Sequence, residues 1–395
     1  MGNEAASQAI TLGDPVPWFG ARSVAGTDIE LHINAGRWIV LAFTGRITDT
    51  RGVNELQSLI RAKHLFNENK LIAFGVLVGS MKELEPLAPF CSPSLSFIAD
   101  TDGAVSRLYG ADTMPRTVIV DPMLRAFANI SLDHPEGHSN VVAATLAALP
   151  DIDASAGVPL TAPALIVPRV FEFPFCRRLV KLYEDHSAAN PSADQAGAVA
   201  DEIDDYMRRH DVAIVEPQLR AEIRERIVRR LVPEIERYFQ FKATRMDRYV
   251  VSGYDSAVGG HYSRHRDNST PAARHRRFAA SINLNSDYDG CDLIFPEFGR
   301  RVYRAPLGGA LVFSCGALHE VTPVTRGKRF AFVPFFYGEE DVALRKATNA
   351  YLRDGEARYA IDHDMLFPEL HAPGLVPEAG TSISETPGIK SDAEA

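Results

Sequence analysis

The chain is predicted to fold as two domains, an α/β layer domain followed by an α+β domain whose strands close into a barrel or a double-sheet jelly roll. Three observations predict this. Before residue 121, short apolar runs alternate with a helical segment. From Arg248 onward, short strand-like runs are punctuated by turn residues, and two amphipathic helical segments precede them. Between these regions, at 149–163 (LPDIDASAGVPLTAP), small residues and prolines replace the periodic apolar pattern, as in an interdomain linker. A length of 395 residues accommodates two or three domains.

In the first domain, 38–43 (WIVLAF) is a short apolar run suited to a buried strand. Segment 53–66 is helical in pattern, with Leu56, Leu59 and Ile60 on one side. A second buried strand is expected at 71–77 and a third at 117–120, stopped by Asp121-Pro122. Strand, helix and strand at these lengths imply βαβ units. In the second domain, 175–185 and 217–230 read as amphipathic helices; Leu219, Ile223, Ile227 and the following Leu231 recur every four residues. Strands are expected at 278–284, 292–295, 310–313 and 330–336, with turn chemistry at Asp289-Gly290 and Gly308-Gly309. Many short strands after helices suggest the barrel or jelly roll. Segment 187–197 reads as a loop. The tail from residue 378, rich in Ser, Gly, Pro and acid, is expected to be disordered.

Composition narrows the function classes. Apolar residues at 46% and charged residues at 24% give an ordinary globular balance. A formal charge of -9 provides no basic field for nucleic acid or anionic membrane. The local patch His275-Arg276-Arg277 reads as a solvated turn or a strand edge. The first ten residues lack a basic segment followed by an apolar one, and no apolar run is long enough to span a bilayer, so a soluble, cytoplasmic chain is expected. Cys91, Cys176, Cys291 and Cys315 are scattered without a CxxC pair. This argues against a disulfide framework or a structural zinc site and for small buried apolar residues.

The chemistry concentrates in His265-Arg266-Asp267 and, far downstream, His319. On a strand, residues two apart share a face, so His265 and Asp267 can reach one ion. With His319 they form a two-histidine, one-carboxylate set that leaves coordination positions open, as O₂-activating non-haem iron(II) requires. The HxD pattern alone is weak. Its context strengthens it: Arg329 lies ten residues after His319 on what reads as the next strand. A guanidinium there could hold a dicarboxylate through two prongs. The alternative is a surface strand arginine. The apolar run 330–336 instead places this strand inside, where an unpaired arginine is costly and an anionic ligand would offset the cost.

Several pieces occur in order: Tyr262-Ser263-Arg264-His265-Arg266-Asp267, Ser281-Ile282-Asn283-Leu284-Asn285 with Tyr288-Asp289-Gly290, Pro306-Leu307-Gly308-Gly309-Ala310-Leu311-Val312-Phe313, and the segment from His319 to Phe330. With them, 248–337 resembles the prolyl 4-hydroxylase-like branch of the 2-oxoglutarate/iron(II) oxygenases. Together with the preceding helices the likeness spans about half the chain. It implies a double-stranded β-helix (jelly-roll) core, with His265, Asp267 and His319 as iron ligands and Arg329 paired with the distal carboxylate of 2-oxoglutarate. It gives Tyr254 or Tyr262 a hydroxyl donated to the same group or a place in the site wall, with a packed aromatic as the alternative for each. The implied cofactors are Fe(II), 2-oxoglutarate and O₂, with ascorbate as an accessory reductant, and the implied reaction releases succinate and CO₂ while hydroxylating a C–H bond. Two features depart from the pattern. Gly290-Cys291-Asp292 replaces the usual Gly-Gly-Glu, and Arg329 stands where several branches carry lysine. Asp267 disfavours the halogenating relatives that lack this carboxylate. His261, four residues before His265, reads as a loop residue or one behind the ligands.

The region 12–150 resembles the peroxiredoxin branch of the thioredoxin fold. The cues are Gly13-Asp14-Pro15-Val16-Pro17-Trp18-Phe19, the strand at 38–43, Ala99-Asp100-Thr101-Asp102-Gly103 with Leu108-Tyr109-Gly110, and 115–121 (PRTVIVD). In 43–51 (FTGRITDTR), Arg51 stands where the family's peroxidatic cysteine belongs, a few residues past Thr48. Peroxide reduction needs an activated thiolate, and Cys91 lies in another segment. Arg116 matches the family's site arginine, but without the thiol it reads as structural. A degenerate redoxin at 1–150, a linker at 151–163, an oxygenase domain at 164–345 and an extension at 346–395 are therefore expected. The redoxin unit would mediate homodimerisation, position substrate, bind a partner or serve structure alone. The leading function is a dioxygenase acting on an amino-acid-derived or other specialised small molecule. The alternatives are a prolyl or protein side-chain hydroxylase, with a protein or carrier-bound substrate, and a non-catalytic binding protein of two degenerate domains. A thiol peroxidase is disfavoured by the missing cysteine.

Overall fold

A computed structural model describes residues 10–189, 206–351 and 364–367. The strand Trp38–Arg46 explains the first unit: it is buried on both faces from Trp38 to Thr44. Ile39, Leu41 and Phe43 enter one core cluster, and Val40 another. A run apolar at every position is what a central strand covered on both sides requires. Its sheet has the order Leu95–Ala99, Leu71–Val78, Trp38–Arg46, Arg116–Val120, Ala126–Ser131; the first three are parallel and the last two antiparallel. The helix expected at 53–66 begins earlier, at Thr50, because the Asp49 side chain accepts from the Arg51 amide at 3.0 Å and caps it. It ends at Arg61 and tightens into a 3₁₀ turn, Ala62–Leu65. Thr48 and Arg51 are exposed on this unit, and Arg51 pairs with Asp133. All four cysteines are free thiols; Cys91 is half-buried and the other three are buried.

The second unit is helices over two larger antiparallel sheets, with a two-stranded pair, Asp289–Gly290 and Val324–Arg326, beside them. Helices Phe173–Ala189, Pro217–Arg230 and Val232–Phe239 cover the outer face of the larger sheet, with Leu219, Ile223, Ile227, Leu231 and Ile235 buried against it. The helix through Ala189 takes up the start of the loop expected at 187–197; the rest of that loop, and the tail, lie outside the described residues. The larger sheet runs His210–Ala213, Val250–Asp255, Lys328–Phe332, Phe278–Asn283, Ala310–Ser314, Leu165–Val167, with Phe335–Tyr337 pairing Arg245–Asp247 and Phe278–Asn283. The smaller sheet runs Val302–Tyr303, Leu293–Ile294, His319–Val321, His261–His265, Met207–Arg208. The expected strand at 330–336 is two strands, Lys328–Phe332 and Phe335–Tyr337. Pro334 between them has no amide hydrogen for the ladder, and the chain changes partners there. The segment 151–163 is fastened to this unit. Asp151 and Asp153 hold the Arg300 guanidinium at 2.6 and 2.8 Å, and the Ala162 amide donates to the Tyr303 hydroxyl at 2.8 Å.

The first unit packs directly on the strand that carries His265. Arg264 and Arg266 flank His265 and point to the opposite face. Arg264 donates to the Ala35 carbonyl at 3.3 Å and Arg266 to the His32 carbonyl at 3.3 Å. The Arg266 guanidinium lies 4.8 Å from the Trp18 ring centroid and is held by both Glu297 carboxylate oxygens, at 2.8 and 3.1 Å. Leu318, next to His319, completes the first unit's own core. Gly36 meets Pro296 so closely that an added Cβ would lie 2.2 Å from the proline Cβ, at a φ of +81°. Gly36→Ala is therefore expected to cost about 2–4 kcal/mol from overpacking and left-handed strain together, read as a lowered Tm in a thermal melt. A loss of only about 1 kcal/mol, the strain alone, would mean that the two units do not press together here.

Candidate metal centre

His265 ends its strand and His319 begins the neighbouring one, and the two are paired directly across the ladder. Cross-strand partners on one face stand close enough to share an ion. Asp267 lies just beyond the strand end, in a turn, so period-two alternation is not what places it. Its amide donates to the Cys315 carbonyl at 3.0 Å, which fixes the turn and brings the carboxylate back to the histidines. Its two oxygens sit 3.5 Å from His265 Nε2 and 3.5 Å from His319 Nε2. One ligand atom from each residue lies within 4.8 Å of the others, and this is the group of metal-ligand residues found among the described residues.

The imidazoles are set for coordination. His265 Nδ1 lies 2.7 Å from the Ser263 carbonyl and His319 Nδ1 lies 3.1 Å from the Ala317 carbonyl. A carbonyl only accepts, so each Nδ1 carries the proton and each Nε2 offers its lone pair. Burial pushes the His319 pKa down to about 4, against the pull of Asp267, so the ring is neutral at pH 7. Burial pushes the Asp267 carboxyl up, but His319 and His265 outweigh it and hold the group below the usual carboxylate range. The neutral His319 ring and an ionised carboxylate need lose no proton to take a dication. Tyr262 stacks on His265 with centroids 3.6 Å apart, and Phe313 packs edge-on to His319 at 4.7 Å.

Arg329 faces this group from the larger sheet, where its strand partner is Tyr254. Its side chain is buried, with 3% of the residue exposed. It donates to Asn283 Oδ1 at 2.9 and 3.1 Å and to Ser281 Oγ at 2.7 Å. These acceptors are neutral, and among the described residues no carboxylate pairs with it. A buried guanidinium held by neutral acceptors can take a carboxylate through two prongs. Tyr254 and Tyr262 both line the cavity between the sheets, with His265, Asp267, His319 and Arg329. Tyr254 lies under the Arg329 guanidinium, 5.5 Å from ring centroid to Cζ. Tyr262 stacks on His265 and lies under the Arg209 guanidinium, with Cζ 4.8 Å from the ring centroid. His261 holds the Gly259 carbonyl with Nδ1 at 2.8 Å and is outside the ligand group. Asp292, in the departure from Gly-Gly-Glu, is engaged by Arg304 at 2.5 Å.

The basic patch at 275–277 corrects the sequence reading. His275 is fully buried on Asp247 at 2.9 Å, and Arg276 lines the cavity; only Arg277 is exposed, paired with Asp341. Arg209 and Arg248 line the cavity as well and were not anticipated. Arg248 meets its carboxylate partner, Asp211, from a distant strand, while Arg209 meets the same carboxylate from two residues before it.

Residues 249–337 match the model of the 2OG-Fe(II) oxygenase superfamily, whose members take Fe(II), 2-oxoglutarate and O₂. A PKHD-type hydroxylase of Nitrobacter winogradskyi is 40% identical over 82 residues, covering 18% of this chain and 36% of that protein. The chain thus spans about a third of that relative's length. A prolyl-4-hydroxylase structure from Pseudomonas putida is similar over 47% of this chain and 95% of its own, at 18% identity and a TM-score of 0.32. The peroxidoxin BcpB structure from Mycobacterium tuberculosis is similar over 36% of this chain and 99% of its own, at 18% identity and a TM-score of 0.32. Among the described residues, no helix is long and apolar enough to cross a membrane.

Proposed function

We propose that this protein is an iron(II)- and 2-oxoglutarate-dependent dioxygenase, built on a double-stranded β-helix, that hydroxylates a C–H bond of an amino-acid-derived or other small-molecule substrate and releases succinate and CO₂. The observation that carries the reading is the pairing of the compact His265–Asp267–His319 group with a buried, carboxylate-free guanidinium, Arg329, on the opposite wall of one cavity. Iron and 2-oxoglutarate, when bound, supply O₂ activation and the oxidising power for C–H cleavage. The chain's own residues do the rest. His265 and His319, each through Nε2, and Asp267, through its carboxylate, would hold the ion as a two-histidine, one-carboxylate set. Arg329 fixes the distal carboxylate of 2-oxoglutarate, and with it the orientation of that molecule. Leu293, Phe313, Val321 and Phe335 give the cavity apolar walls that keep water from competing.

The first unit acts in this reading as a brace. Its contacts with Arg264, Arg266 and Leu318 hold the strand ends on which two of the ligands sit. It has no cysteine near Arg51 with which to reduce peroxide.

The test is anaerobic addition of Fe(II) and 2-oxoglutarate to the purified chain, read as the visible metal-to-ligand charge-transfer band. A saturable band is expected. Its absence in folded, iron-loaded protein would reject the oxygenase reading and leave a binding protein of two degenerate domains.

A further inference from the structure

We infer that the substrate of this site carries an anionic group, a carboxylate or a phosphate, that docks on a wall of guanidinium groups formed by Arg209, Arg248 and Arg276. This deepens the oxygenase reading above and rests on it.

All three arginines line the cavity that holds the His265–Asp267–His319 group. Arg209 lies between two edge strands, Met207–Arg208 and His210–Ala213, and Arg248 occupies the turn before Val250–Asp255, with a left-handed φ of 66°. Arg276 stands two residues ahead of Phe278–Asn283. Their side chains are only 10%, 19% and 23% exposed. Arg248 and Arg276 both lie over the Phe335 ring, with Cζ 5.8 and 3.9 Å from its centroid, and Arg209 lies 4.8 Å from the centroid of Tyr262. Aromatic faces thus orient the three planar forks towards one space.

Their charges are incompletely matched. Asp211 serves both Arg248 and Arg209, and it also accepts from Ser252 at 2.6 Å. Arg209 Nε, 3.3 Å from Asp211, is not aligned for a hydrogen bond, and its Nη1 reaches the Tyr254 hydroxyl only at 3.4 Å. Asp247 serves Arg276 at 3.4 Å while already accepting from His275. With Arg329 included, four guanidiniums face three carboxylates, Asp211, Asp247 and Asp267. A metal dication and the cosubstrate dianion cancel each other, so one positive charge is left in a water-poor cavity. Leaving it uncompensated is costly. An anionic substrate group removes that cost and accepts several charge-assisted hydrogen bonds at once. The cavity, about 270 Å³, must also hold 2-oxoglutarate, so the anionic end sits near the metal rather than at a distant recognition surface.

The experiment is a calorimetric titration of the full chain, loaded with redox-inactive Mn(II) and saturating 2-oxoglutarate, with benzoate, phenyl phosphate and benzamide. These probes share a ring and differ in charge. At least one anion is expected to bind about tenfold or more tighter than benzamide, and Arg209→Gln and Arg276→Gln are each expected to weaken it by about tenfold. Tighter benzoate would assign a carboxylate, and tighter phenyl phosphate a phosphate. Equal binding of all three by the unaltered chain, including no binding at all, would overturn the inference, as would an anion preference that both folded variants retain. The binding of 2-oxoglutarate in the same sample separates the two levels. If it fails, the oxygenase reading falls; if it succeeds without charge preference, only this inference does.

Discussion

Replacing Arg329 by alanine is expected to weaken 2-oxoglutarate binding by about 3 kcal/mol, roughly 150-fold, measured by titrating the charge-transfer band at fixed Fe(II). The side chain is buried and its acceptors are the neutral oxygens of Asn283 and Ser281, with the Cys291 sulfur 3.9 Å from Nη1. Those contacts orient the fork without neutralising it, so a carboxylate would gain charge-assisted hydrogen bonds to a partner already held in place. Stability should respond differently from binding. A structural arginine would take several kcal/mol of fold stability with it when removed. An arginine kept for a ligand leaves an uncompensated buried charge in the ligand-free protein, and its loss should change the ligand-free Tm by the equivalent of about 1 kcal/mol, the scale of the Asn283 and Ser281 hydrogen bonds. Arg329→Lys keeps the charge but not the fork, so an intermediate loss of about tenfold is expected. Undiminished cosubstrate affinity in Arg329→Ala would remove this residue from the site.

How much of this was legible in the sequence depended on the range of the interaction concerned. Helix Pro217–Arg230 was readable because its apolar period is local, and the central strand Trp38–Arg46 because a strand buried on both faces is apolar at every position. The grouping of His265, Asp267 and His319 was readable by type and spacing, although for a partly mistaken reason: Asp267 is returned to the histidines by a turn, and the cross-strand pairing of His265 with His319 depends on a register no local pattern encodes. The apolar run at 330–336 concealed its break because one proline among phenylalanines scarcely alters hydrophobicity while removing a ladder donor. Arg276 was misread for a related reason. A run of three basic residues resembles a solvated surface until Asp247, arriving from another strand, draws two of them inside. The contact of Gly36 with Pro296 was not readable at all, since each residue is ordinary in its own segment.

His265→Ala should abolish 2-oxoglutarate-dependent succinate formation while leaving the fold intact. Losing a partner behind a metal ligand typically lowers affinity or activity 10- to 100-fold. Losing the ligand itself should exceed that, because two remaining donors no longer define one face of the ion. The strand should survive. His265 closes it through backbone pairing that alanine reproduces, and the far face is still held by Arg264 and Arg266 against the first unit. The principal packing loss is the stacked contact with Tyr262, worth about 1 kcal/mol. A thermal melt separates loss of metal from loss of fold. In the wild type, metal at a hundred times its Kd should add about 2.7 kcal/mol of stability, and in the variant that increment should vanish while the metal-free Tm stays nearly the same. Arg266→Ala is the informative contrast. It removes the Glu297 and His32 contacts behind the same strand but no ligand, so it should lower the metal-free Tm and only weaken the metal increment. Unchanged succinate production in His265→Ala would dissolve the assignment of this centre, whatever the behaviour of the other variants.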